Sequence, residues 1–130
     1  MSSRYKIIIT PFAEKYYIKK FNKKYKNAWM VTREALVKQL QNIDVLFKRS
    51  IAEIIVASGN IKICKLEFSV AGTRVSRHAS GNRYIISINE ITNEISILLV
   101  YHKNDLKKGN ETEQWKKLIR NNFVEYKNFI

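Results

Sequence analysis

The 130-residue sequence has a single cysteine, a single proline and four glycines. One thiol, Cys64, excludes an internal disulfide framework and any cysteine-built zinc site. Flanked by Ile63 and Leu66, it reads as a small buried hydrophobe rather than a nucleophile. No linker, repeat or low-complexity segment interrupts the chain, which reads as one domain over residues 1–130. No apolar run approaches the ~20 residues of a membrane span, and the N-terminus lacks a signal-type apolar stretch. A soluble, cytoplasmic protein with no membrane partner is expected. The two histidines, His78 and His102, lie far apart with no carboxylate pair beside either, so neither a metal site nor a cofactor is expected.

Acidic residues are scarce as well. Eleven Asp and Glu stand against 24 Lys and Arg, a formal net charge of +13. That balance suits a polyanion such as nucleic acid, an acidic peptide or an anionic surface, and disfavours a cationic or apolar partner. A lysine-rich surface from an AT-rich genome would account for part of the charge, given the abundance of Ile and Asn, but not for the arginines. The hydrophobic fraction of 45% is ordinary for a chain that folds around one core.

The coarse organisation follows from periodicity. Tyr5 to Ile9 is a β-rich run, stopped by Thr10-Pro11, with Thr10 placed to cap the next element and Pro11 at its first helical position. From Phe12 to about Tyr25, Phe12, Ala13, Tyr16, Tyr17 and Phe21 recur at helical spacing, while Lys15, Lys19, Lys20, Lys23, Lys24 and Lys26 crowd the other face. Asn27 to Trp29 reads as a tight connection. Leu36, Leu40, Ile43 and Phe47 then carry a second helix to about Lys48, making a helical hairpin that lies on a sheet. Ala52 to Val56 is either a strand or the tail of that helix. Ile61 to Val70 alternates as a strand, Ala71 to Asn82 is a polar connection, and Arg83–Asn89 and Ile95–His102 are strands joined through Glu90–Glu94. Leu98, Leu99 and Val100 mark the last strand as central and buried. Glu111 to Lys127 closes the chain as a helix with an acidic first turn. The fold class is α+β: an N-terminal strand and helical hairpin on a small antiparallel sheet, with a C-terminal helix.

Four stretches in this order carry a resemblance: Ile7-Ile8-Ile9-Thr10-Pro11-Phe12, Cys64-Lys65-Leu66-Glu67-Phe68, Ser80-Gly81-Asn82-Arg83-Tyr84 and Val100-Tyr101-His102-Lys103-Asn104-Asp105. Together they resemble the RelE/ParE superfamily of toxins from bacterial type II toxin–antitoxin pairs, over nearly the whole chain. RelE-type members are ribosome-dependent endoribonucleases that cut messenger RNA. ParE-type members poison DNA gyrase. Both are held inactive by an antitoxin that wraps them. By position, Arg83 matches the arginine of the family's third motif, Lys103 the basic residue after the last strand, and Arg77 lies near the preceding arginine. The chain departs from the pattern at Glu67, where the family is usually basic, and after Asp105, where some nucleases carry a catalytic tyrosine.

The resemblance implies a metal-independent, ribosome-associated messenger RNA endoribonuclease with a cognate antitoxin as partner. Such cleavage needs a base for the 2′-hydroxyl, cations for the phosphorane and an acid for the leaving oxygen. His102 is the candidate acid or base, because imidazole exchanges protons at neutral pH. Lys103, Arg77 and Arg83 are the candidate phosphate groups, Arg83 having a structural ion pair as its alternative. Tyr101 is placed to stack on a base or to belong to the core. Lys19, Lys20, Lys23, Lys107 and Lys108 would add electrostatic grip, and His78 reads as an inert loop residue. The competing readings are an inhibitor of gyrase and a basic or degenerate nucleic-acid-binding module. On this reading Arg83→Ala and Lys103→Ala abolish growth inhibition while Lys20→Ala only weakens it, because a phosphate clamp contributes a few kcal/mol and a surface lysine at most about one. Growth after induction measures this.

Overall fold

Thr10 is the hinge between β1 (Lys6–Ile9) and the first helical turn, α1 (Pro11–Ala13). Its hydroxyl accepts from the Ala13 N–H at 3.2 Å and donates to the Ile97 carbonyl at 2.8 Å. One side chain thus caps the helix and pins it to the sheet. Pro11 follows at the helix start, where the N–H it lacks has no partner to lose. The computed structural model describes residues 5–106, 109–128 and 130, apart from the side chain of Tyr17.

The rod continues through a π-helical stretch (Glu14–Ile18) into α2 (Lys19–Tyr25), reverses at Lys26 and returns as α3 (Asn27–Leu40). Lys26, at a positive φ of 51°, makes the reversal alone. The connection expected at Asn27–Trp29 is therefore already helical, and the Trp29 ring packs 5.0 Å from Phe21 and 6.0 Å from Phe68. The second helix does not run unbroken to Lys48. It stops at Leu40 and restarts as α4 (Ile43–Lys48), so that Leu40, Ile43 and Leu46 are all buried.

β2 (Ala52–Ser58), β3 (Ile61–Phe68), β4 (Asn82–Asn89) and β5 (Glu94–His102) form an antiparallel meander. The segment left open between strand and helix tail is thus a strand, β2. β1 joins the sheet beside β5 and parallel to it, giving the order β1-β5-β4-β3-β2. The sheet is mixed rather than antiparallel throughout. A parallel pair needs a long crossover, and here the helices and the whole meander supply it.

Side chains alternate along each strand and make two cores. On one face Cys64, Leu66, Phe68, Tyr84, Ile86 and Val100 meet Phe21, Trp29, Leu36 and Leu40 of the helical hairpin. On the other, Ile63, Ile85, Leu99 and Tyr101 meet Trp115, Ile119 and Phe123 from α5 (Glu111–Asn122) and its end. The result is three layers in an α+β arrangement. Between Ile85↔Leu99 and Ile86↔Ile97 the register shifts, and the extra residue, Leu98, joins Leu99 in the core under α5. α5 ends at Asn122 instead of Lys127, because Phe123 turns extended and sets its ring edge-on to Phe12 at 5.5 Å. No helix among the described residues is long and apolar enough to cross a membrane.

Burial pushes the Cys64 thiol up from 9.0 to about 12. It also raises the Tyr84 phenol, and the Tyr101 phenol, which in addition donates a hydrogen bond to Glu111. These groups hold their protons more tightly folded than unfolded. Their contribution is complete below the unfolded values and is lost as pH rises above about 9. Thermal unfolding followed from pH 8 to 12 should show Tm falling steadily above pH 9, with tyrosine absorbance reporting Tyr84 and Tyr101 ionising only as the chain unfolds.

Candidate functional site

The register Phe68↔Asn82↔His102 brings the loop after β3, the start of β4 and the end of β5 to one end of the sheet. Arg77, His78, Arg83, His102 and Lys103 therefore share that end, although their sequence positions span two loops and two strands. They do not share one surface.

Arg83 points to the α5 face and is only 7% exposed. Its Nη2 lies 3.3 Å from Glu67 Oε2, and its Nε lies 3.0 Å from Glu111 Oε2, off the hydrogen-bonding axis. Nη1 has no hydrogen-bond partner among the described residues. Glu67 is directly opposite Arg83 on β3, and Glu111 opens α5. The same Glu111 oxygen accepts from the Tyr101 hydroxyl at 2.7 Å and lies 3.8 Å from Lys65 Nζ. Two carboxylates and two cations thus balance under the helix N-terminus. Arg83 is the structural ion pair of the two readings open to it, since its charge is already committed and shielded from a phosphate strand. Tyr101, 1% exposed, has no ring face to offer a base and belongs to the core.

His102 is also committed. Its Nδ1 accepts from the Asn104 N–H at 3.0 Å, so the proton sits on Nε2, 3.1 Å from the Ser80 carbonyl to which it donates. Asp105 completes a reciprocal cap by accepting from the His102 N–H. The ring fits because residue 81 is glycine: a Cβ there, at φ 77°, would stand 2.6 Å from His102 Nε2. With both ring nitrogens used in holding the chain, His102 is a staple rather than the acid or base proposed for it.

The other histidine has the free nitrogen. His78 Nδ1 contacts both Glu67 oxygens, at 2.9 and 3.1 Å, and its side chain is 84% exposed. Donation to the carboxylate leaves Nε2 outward, with no partner among the described residues. The loop is held by its own bonds: Ser80 N–H donates to the Ser76 carbonyl at 2.9 Å, Ala79 N–H to the Ser76 hydroxyl, and the Ser80 hydroxyl reaches the Phe68 carbonyl at 2.6 Å. Arg77, exposed and without an ion pair among the described residues, lines a groove of about 480 Å³ together with Glu67. Sequence reading missed Glu67 and Glu111 as site residues and dismissed His78. Glu67 shares a strand face with Lys65, a signal present in the alternation, but its meeting with His78 depends on how the loop folds.

The remaining lysines divide. Lys20 borders a cavity at this sheet end, and Lys19 borders a groove between the helices of the hairpin. Lys23 is exposed on α2, and Lys103 is exposed in the turn after β5. Lys107 and Lys108 lie outside the described residues.

Removing one partner of a buried pair leaves the other charge uncompensated, at about 3–5 kcal/mol for a fully buried pair. Glu67 remains to Arg83 when Glu111 is neutralised, so Glu111→Gln should destabilise by about 2–3 kcal/mol in chemical denaturation. His78→Ala, at an exposed position, should leave the midpoint unchanged. Comparison of the chain with models of protein families, with curated proteins and with solved structures found no match.

Proposed function

We propose that this protein is the toxin of a type II toxin–antitoxin pair: a metal-independent, ribosome-associated endoribonuclease that cuts messenger RNA in the cytoplasm, blocks translation and is held inactive by a cognate antitoxin protein. The reading draws on the RelE/ParE-like motifs and on the net charge of +13. It is carried by one observation, the exposed His78 imidazole oriented by Glu67, next in sequence to Arg77, which has no ion pair among the described residues.

A carboxylate on Nδ1 fixes the tautomer and aims the Nε2 lone pair at solvent, the arrangement of a general base. Nε2 takes the proton of a ribose 2′-hydroxyl. The 2′-oxygen bonds to the adjacent phosphorus, the bond to the 5′-oxygen breaks, and solvent protonates the leaving oxygen. The products are a 2′,3′-cyclic phosphate and a 5′-hydroxyl. Arg77 supplies a guanidinium for the charge that builds on the phosphorane, and Lys103 adds a cation at the same sheet end. Arg83 acts at one remove, holding the carboxylate that holds the imidazole.

Primer extension on transcripts after brief induction tests this. Wild-type protein should produce discrete cleavage sites, His78→Ala should lose them by about 10²-fold or more, and Arg77→Ala by about tenfold or more, both with unchanged thermal unfolding. Full cleavage by His78→Ala would sink the assignment. Supercoiling defects without transcript cleavage would favour the gyrase reading.

A further inference from the structure

On the hairpin face of the same sheet end, the start of β4 and the turn after β5 face α2 across a cavity of about 430 Å³. That is within the roughly 300–1,000 Å³ of small-molecule sites. Asn82, Lys20, Lys24, Tyr25 and His102 line it. Asn82 is 5% exposed, and its backbone N–H is spent on the Ser80 hydroxyl at 3.0 Å. Its carboxamide has no hydrogen-bond partner among the described residues. Its two donors and its acceptor are open to whatever fills the cavity.

The rest of the lining narrows the ligand. Lys20 and Lys24, one helical turn apart, put two ammonium groups at the rim. The one carboxylate there, Asp105, lies 3.9 Å from Lys20 and accepts from the His102 backbone. Among the described lining residues, the two lysines against one carboxylate leave a surplus of positive charge. Tyr25 stacks on Phe21 with ring centroids 6.2 Å apart and planes at 23°, and Lys24 Nζ stands 5.2 Å from the Tyr25 ring. A ligand that fits is planar, bears a donor–acceptor edge and carries an anionic group.

We propose that this cavity is a subsite for one nucleotide, its base edge read by the Asn82 carboxamide, its ring against Tyr25 and its phosphate between Lys20 and Lys24. The carboxamide pairs with a base edge by two hydrogen bonds, and stacking on an aromatic ring accepts any base. The subsite deepens the reading of RNA as substrate and rests on it. It lies across the sheet from His78, so it positions a nucleotide away from the cleaved bond.

Occupancy is measured on the intact protein by NMR, with the side-chain amide of Asn82 and the ring of Tyr25 as reporters. The probes are AMP, GMP, CMP and UMP, and 2′-O-methyl trinucleotides that cannot be cleaved. Saturable shifts of both reporters are expected with a trinucleotide, and weaker ones with at least one mononucleotide. The exposed double variant Lys20→Gln/Lys24→Gln should lower affinity about tenfold and flatten its salt dependence. Asn82→Ser should reduce the difference in affinity among bases. Shifts with mononucleotides alone would keep the site and assign it to free nucleotides. Reporters unmoved at saturating probe, or affinity untouched by the lysine substitutions, would overturn the proposal. Because the readout is binding, a chain that fills this cavity but cuts no transcript separates this inference from the nuclease reading.

Discussion

The buried guanidinium of Arg83, held between Glu67 of β3 and Glu111 of α5, is the interaction on which the arrangement at the sheet end depends. It joins two strands and the helix packed over them at one point. Burying charges in this way gains little net stability over an apolar cluster of the same size, since desolvation offsets most of the attraction. What the network contributes is orientation. Glu111 is fixed by Tyr101 and by Arg83, Glu67 by Arg83, and His78 by Glu67. The exposed imidazole is the outer end of a chain of contacts rooted in the core beneath α5.

The two faces at this end of the sheet are joined by the segment Ser80-Gly81-Asn82, which runs between them. Ser80 ties the His78 loop to β3, Gly81 leaves room for the His102 ring and accepts from the Lys103 N–H, and Asn82 borders one cavity with Lys20 and Lys24 of α2. One short stretch thereby lies between the His78–Glu67 pair on one side and a polar cavity on the other.

Much of the fold was legible in the residues. The Thr10-Pro11 stop, the helical hairpin, the strands after Ile61 and the acidic start of the last helix all rest on local signals: a cap, a period, a turn residue. The breaks were not. Leu36, Leu40, Ile43 and Phe47 keep a helical period across Gln41-Asn42, so only packing on the sheet reveals that the helix restarts there. The parallel pairing of β1 and the extra residue at Leu98 depend on partners distant in the chain.

The candidate site divided in the same way. Composition alone determined the net charge of +13, and residue types alone offered arginine, lysine and imidazole as candidate groups. Which imidazole is free was decided by tertiary structure. His102 follows a strand and looks available, yet the turn after it and the Ser80 carbonyl use both its nitrogens. His78 sits in a polar loop with nothing beside it in sequence, and folding delivers a carboxylate from eleven residues away. Hydrogen-bond commitments and burial arise from cross-strand register and loop closure, which bring together residues that no local pattern connects.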